Sequence, residues 1–155
     1  MTVFRSRTTI SILAALVVCF FGNAAAAAKS PLFEVGPEGS GAPLYIKHDA
    51  SIDGLAPEMA PVGPAITEAF RRAGIAVTPV VTSGSEFLTW RQKWSKHLTG
   101  EAVDIRGRNL SRRELEQIVT ILQDLLGDDF DVVLEWHGEY HYATHVHVER
   151  DLDAH

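Results

Sequence analysis

The stretch Ser95-Lys96-His97-Leu98-Thr99-Gly100-Glu101-Ala102-Val103-Asp104-Ile105-Arg106-Gly107 decides how the rest of the chain is read. Ala102 to Ile105 forms a compact strand pattern that Gly107 ends. Ahead of it, Thr99-Gly100 reads as a turn, and glycine permits the tight backbone path such a turn needs. If the chain folds back there, His97 meets Asp104 on the following strand. Ala102 lies two residues before Asp104, on the same face, and its small side chain leaves room beside the pair.

Working outward, Ser111 starts a helix and Glu114 completes a capping box three residues on. Leu115, Ile118, Val119, Leu122 and Leu125 or Leu126 form the buried stripe of that helix, and Gly127 stops it. Phe130 to Trp136 and Tyr140 to Glu149 are strand-like runs flanking Gly138, which suggests a hairpin or extended loop. Upstream, Ile66, Ala69, Phe70 and Ala73 recur at helical spacing, with Gly74 as the C-terminal cap. Ala76 to Thr82 is β-branched and reads as a strand, in which Pro79 points to an edge position or an early break. Phe87 to Trp94 reads as a helical or irregular crossing. Residues 29–64 form an irregular, Gly- and Pro-rich lead-in, with only Pro43 to His48 resembling a strand. The expected fold is α+β: a small, largely antiparallel sheet carrying the candidate ligands and covered by two main helices, within a domain spanning 65–155.

Residues 1–28 read as a signal peptide. Arg5 and Arg7 precede the uncharged apolar run Ile10 to Phe21, and the small residues Ala24 to Ala28 offer a cleavage site. The apolar run falls short of the roughly 20 residues of a membrane span. An uncleaved anchor is the alternative. Cleavage leaves one domain without a cysteine, since Cys19 is the only one in the chain, and stability then rests on the core and a bound metal. The formal charge of −6 becomes more negative by two when Arg5 and Arg7 are lost. That balance argues against nucleic acid as a partner, because phosphate contacts need clustered Lys and Arg. The expectation is an exported monomer, periplasmic or extracellular, with no membrane span in the mature chain.

The second chemistry-bearing stretch is Thr144-His145-Val146-His147-Val148-Glu149. With His97 and Asp104 it offers imidazoles and a carboxylate, the donor set of a catalytic zinc site with an open position. His145 and His147 face the same side of a strand and would crowd one another as equivalent ligands. One can bind a metal while the other stands beside the open position. Glu135 ends the run Asp131-Val132-Val133-Leu134, which can bring its carboxylate to the same ion, placed to move a proton from water to a leaving amine.

Ser95-x-His97-x-x-Gly100-x-Ala102-x-Asp104 resembles the first zinc motif of the D-Ala-D-Ala carboxypeptidase and dipeptidase family of zinc peptidases. His145-x-His147 resembles the second motif of that group and its relatives, the murein endopeptidases and the hedgehog signalling domain. Val81-Thr82-Ser83-Gly84 is similar to the strand and turn preceding the first motif. The similarity spans roughly Val80 to Glu149. The first motif matches at all its fixed positions and is specific, whereas a bare His-x-His is weak.

The resemblance implies one Zn2+ held by His97, Asp104 and His147, with His145 beside the site, steadying it or the oxyanion. It makes Glu135 the acid/base, with Glu139 as rival, because the relatives place their glutamate closer to the last histidine motif than the ten residues separating Glu135 from His145. Arg91 and Ser95 are the substrate-binding candidates. The family's arginine near the Ser-Gly turn is replaced here by Ser85-Glu86, which weakens the case for recognition of a free C-terminal carboxylate. Trp90, Trp94, Trp136 and Tyr140 could wall a groove, and Arg106 and Arg108 read as surface charges or support for the site. The expected function is a zinc peptidase acting on peptidoglycan peptides at a D-amino-acid linkage, as carboxypeptidase or endopeptidase. A non-catalytic zinc module of the same fold that binds a cell-envelope partner is the main alternative, and a metal-buffering protein a third.

Overall fold

The computed structural model describes residues 32–85, 95–138, 140 and 143–150. Its strands are β1 (Gly36–Pro37), β2 (Tyr45–Ile46), β3 (Val80–Ser83), β4 (Ala102–Arg106), β5 (Phe130–Glu135) and β6 (His145–Arg150). The helices are α1 (Val62–Arg72), the single turn α2 (Lys96–Thr99) and α3 (Arg112–Leu126). The strands form one open sheet in the order β1-β2-β3-β4-β6-β5. From β3 to β5 all pairing is antiparallel, while β1, β2 and β3 run parallel to one another. The fold is therefore α+β, and its sheet is mixed, mostly antiparallel.

Period-two alternation divides the side chains between the two faces of the sheet. Val103 and Ile105 of β4, Val146 and Val148 of β6, and Phe130 and Val132 of β5 turn inward and are buried. They join Leu115, Ile118 and Leu122 of α3 and Ile66, Ala69 and Phe70 of α1 in a single core. The intervening residues Asp104, His145, His147, Glu149 and Glu135 occupy the opposite face.

The caps follow the sequence. Ser111 and Glu114 form the capping box of α3, each side chain bonding the other's backbone N–H. Gly74, with φ +69, ends α1 and lets the Ile75 N–H reach the Phe70 carbonyl at 3.0 Å. In the last turn of α3, Gln123 ties the helix to β5. Its Nε2 donates to the carbonyls of Gly127 and Phe130 at 2.9 and 2.8 Å, and its Oε1 accepts the Val132 N–H at 3.2 Å. That clamp fixes where β5 begins, and with it the position of Glu135 at the far end.

Two expectations need correction. The segment expected to be irregular supplies β1 as well as β2, both part of the sheet. Of the two readings of Pro79 the early break holds and the edge does not: β3 begins at Val80, directly after it, and lies between β2 and β4. Parallel pairing there uses carbonyls of the β3 segment as acceptors: Tyr45 N–H donates to Pro79 O and Lys47 N–H to Val81 O, each at 2.9 Å. A proline lacks a donor but keeps its acceptor, so the pairing loses nothing. The crossing segment around Phe87 to Trp94 lies outside the described residues, as do residues 1–31.

Candidate metal centre

His97 is brought to the sheet by α2 and the turn that follows it. Gly100 adopts φ +74, and a Cβ there would collide with the Gly54 carbonyl. Its own carbonyl accepts the Ala56 N–H at 2.9 Å, locking the turn against the preceding loop. The chain then enters β4 and presents Asp104 beneath His97, with His97 Nε2 3.3 Å from Asp104 Oδ1. The other His97 nitrogen, Nδ1, lies 2.8 Å from the Gly84 carbonyl. That bond places a proton on Nδ1 and turns Nε2 towards the carboxylate, so Nε2 is the nitrogen a metal would take.

Strand register supplies the remaining groups. Asp104 on β4 is the partner of His147 on β6, and Glu135 on β5 is the partner of His145. His147 Nδ1 lies 2.8 Å from Asp104 Oδ1, and its Nε2 lies 3.1 Å from Glu149 Oε2. His145 Nε2 sits between two carboxylates, 3.2 Å from Glu135 Oε2 and 3.6 Å from Asp104 Oδ1, while its Nδ1 lies 2.8 Å from the Ala143 carbonyl. The His97 and His147 rings meet edge to face at 5.2 Å. The group is graded in exposure: the His97 side chain is 5% exposed and the Glu135 side chain 46%.

Electrostatics follow from this packing. Burial works to raise the Asp104 pKa, but hydrogen bonds from His147 and His97 outweigh it and hold the carboxyl far below its ordinary range. Burial works to lower the His147 pKa, and the hydrogen bonds to Asp104 and Glu149 overcome it, raising it from 6.5 to about 9. Without a metal, His147 is thus a cation at neutral pH, donating from both nitrogens to the carboxylates beside it.

One atom each of His97, Asp104 and His147 lie within 4.8 Å of one another, a group that can hold a metal ion. Glu135, His145 and His147 form a second such group sharing His147. Five of the eight residues expected at the site are therefore gathered on one patch of the sheet. Ser95 sits immediately before α2, and its side chain makes no cap hydrogen bond there. Arg91 and Glu139 lie outside the described residues. Trp136 does not wall a groove at the site; it packs against the core, with the Arg112 guanidinium 5.9 Å from its ring centre.

Glu149, 3.1 Å from His147 Nε2, is the contact of the candidate site that sequence reading passed over. The signal was present, since His145, His147 and Glu149 share one face by alternation. The Gly84 and Ala143 carbonyls carried no such signal, because a backbone acceptor has no residue-type signature. No protein-family model matches this chain, and no curated protein matches it.

Proposed function

We propose that the chain is an exported zinc-dependent peptidase that hydrolyses peptidoglycan peptides at a D-amino-acid linkage. The observation that carries this reading is the convergence of His97 Nε2, Asp104 Oδ1 and His147 Nδ1, with Glu135 one strand away. Ligands bound tetrahedrally at about 2.0 Å lie roughly 3.3 Å apart, and two nitrogens with one carboxylate oxygen suit zinc. The 3.3 and 2.8 Å separations of the three atoms fit that span with little movement. Gly84 O and Glu149 Oε2 engage the ring nitrogens left over, so the chain supplies the supporting shell as well as the ligands. Export is supported by the basic, apolar and small-residue succession of residues 1–28.

When bound, zinc supplies a Lewis acid that polarises a carbonyl and makes water more acidic. The chain's own residues do the rest. Glu135, half exposed at the end of β5, accepts the proton of the attacking water and returns it to the leaving amine. His145, fixed by the Ala143 carbonyl and standing between Glu135 and Asp104, orients Glu135 and faces the charge that develops on the substrate oxygen. Asp104 keeps its negative charge under all ordinary conditions and so remains a ligand.

The test is to incubate the purified chain with muropeptides, zinc-loaded or with chelator, and to identify products by mass. Products that appear only with zinc support the reading. Stoichiometric zinc without any chelator-sensitive product would instead favour the non-catalytic zinc module.

A further inference from the structure

His137, two residues beyond the end of β5, has no part in the metal centre described above, yet it stands beside it. Its Nε2 lies 3.8 Å from Glu135 Oε2, and its ring stacks on that of His145 with centres 6.0 Å apart and planes 23° apart. The backbone holds it there. The His137 N–H donates across the hairpin to the hydroxyl of buried Thr144 at 3.3 Å. Gly138 follows with φ +56, and the Tyr140 N–H closes the turn on the His137 carbonyl at 3.0 Å.

Two imidazoles therefore meet at one oxygen, Glu135 Oε2, with His145 Nε2 at 3.2 Å and His137 Nε2 at 3.8 Å. The Ala143 carbonyl engages His145 Nδ1, so Nε2 is the nitrogen of that ring a metal would take. Two nitrogens and a carboxylate oxygen are donors that suit zinc and its transition-metal neighbours. The 3.2 Å separation matches the span of roughly 3.3 Å between two ligands of a tetrahedral ion. His137, with a side chain 44% exposed, has room to turn and close the longer separation. His147 also lies within reach of the Glu135–His145 pair. It is a ligand of the first ion, however, and one ring nitrogen binds one ion, so His137 is the third donor in the zinc-loaded chain. Arg106, the register partner of His145, is tied to Glu38 by bonds of 2.8 and 2.6 Å, which offsets its repulsion of a cation here.

We propose that Glu135, His137 and His145 form a second divalent-cation site, weaker than the first, and that filling it switches the first centre off. The switch rests on the peptidase reading, whereas the site itself does not. A carboxylate whose oxygen is bound to a cation cannot accept the proton of the attacking water, so the second ion competes directly for the base. It also draws His145 away from the charge that develops on the substrate oxygen. The second site is the weaker because Glu135 and His137 are nearly half exposed, because one donor has to turn, and because its ion approaches the charge of the first. Zinc thus acts in two senses: the first equivalent activates the centre and an excess silences it.

Binding tests this separately from turnover. The chain, dialysed to one zinc, is titrated calorimetrically with further Zn2+, and muropeptide turnover is followed over the same range. We expect a second equivalent to bind and turnover to fall as it does. His137→Ala should keep the first zinc, the melting temperature and the turnover seen at one equivalent. It should weaken the second binding step at least roughly tenfold and move the inhibition to higher zinc by the same factor. Glu135→Gln, read by calorimetry alone, should keep the first step and lose the second. Absence of a second equivalent, or one bound equally well by both variants as adventitious surface zinc would be, overturns the site. A second equivalent that depends on these residues but leaves turnover undiminished overturns the switch. The same dependence in a chain that cleaves no muropeptide at any zinc level upholds the site and removes the peptidase reading, and the switch with it.

Discussion

The two faces of the central sheet are built from the same three strands, residue by alternate residue, and they do opposite things. On the helix side, Val103, Ile105, Val146 and Val148 are all 1% exposed or less and meet the stripe of α3. On the open side, Asp104, His145, His147 and Glu149 set charges and imidazoles against one another within 4 Å. Burial of apolar area stabilises the first face, while the second carries groups whose desolvation has to be offset by pairing. A strand of six residues can therefore hold a site rigidly because every second residue anchors it.

Substitutions on the two faces should separate cleanly. His147→Ala removes a ligand and should abolish stoichiometric zinc binding, read by metal analysis, while the apolar core stays intact. Zinc retained in full by that variant would break the ligand assignment. Ile118→Ala, under the core face, should lower stability by about 2–5 kcal/mol in denaturant titration and leave one zinc per folded chain. Loss of zinc from the folded Ile118→Ala protein would show that the faces are coupled more tightly than the alternation implies.

Glu149→Gln sharpens the contrast within the open face. It keeps the shape but removes the charged acceptor of His147 Nε2, so zinc affinity should fall roughly 10–100-fold, as for other supporting-shell changes. An unchanged dissociation constant in competition with a chromophoric chelator would mean that Glu149 is a bystander.

Acidity gives the smallest and most diagnostic effect. In the metal-free chain the His147 pKa is raised from 6.5 to about 9, so its stabilising contribution is complete below pH 6.5 and lost as pH rises through 9. Asp104 is lowered from 3.8, so its contribution is present above 3.8 and lost only as pH falls well below it. With chelator, the pair stabilises most between pH 3.8 and 6.5. Zinc must displace the His147 proton, so the zinc-induced rise in melting temperature should grow from pH 6 to pH 8. A rise independent of pH would contradict that linkage.

Much of this was legible in the sequence because the signals were local. The capping box at Ser111 and Glu114, the stripe of α3 and the alternation of β4 and β6 each depend on neighbours a few residues apart. His97, Gly100 and Asp104 were legible for the same reason, since one tight turn brings them together. What escaped depends on distant partners. Two-residue strands such as Gly36–Pro37 exist only because β2 and β3 are there to pair with. The ten-residue gap from Glu135 to His145 looked like an obstacle in one dimension, yet hairpin register closes it, placing the two side chains 3.2 Å apart. The pairing of Arg106 with Glu38 escaped for the same reason, since the two lie 68 residues apart in the chain.

The most direct measurement is muropeptide turnover by zinc-loaded Glu135→Gln beside the unsubstituted chain, with zinc content determined on the same samples. We expect one zinc per chain in both and a loss of turnover of roughly 10²–10⁴-fold in the variant, the range for removing a positioned acid/base. Equal turnover at equal zinc content would contradict the assignment of Glu135, and with it the catalytic use of the open face proposed here.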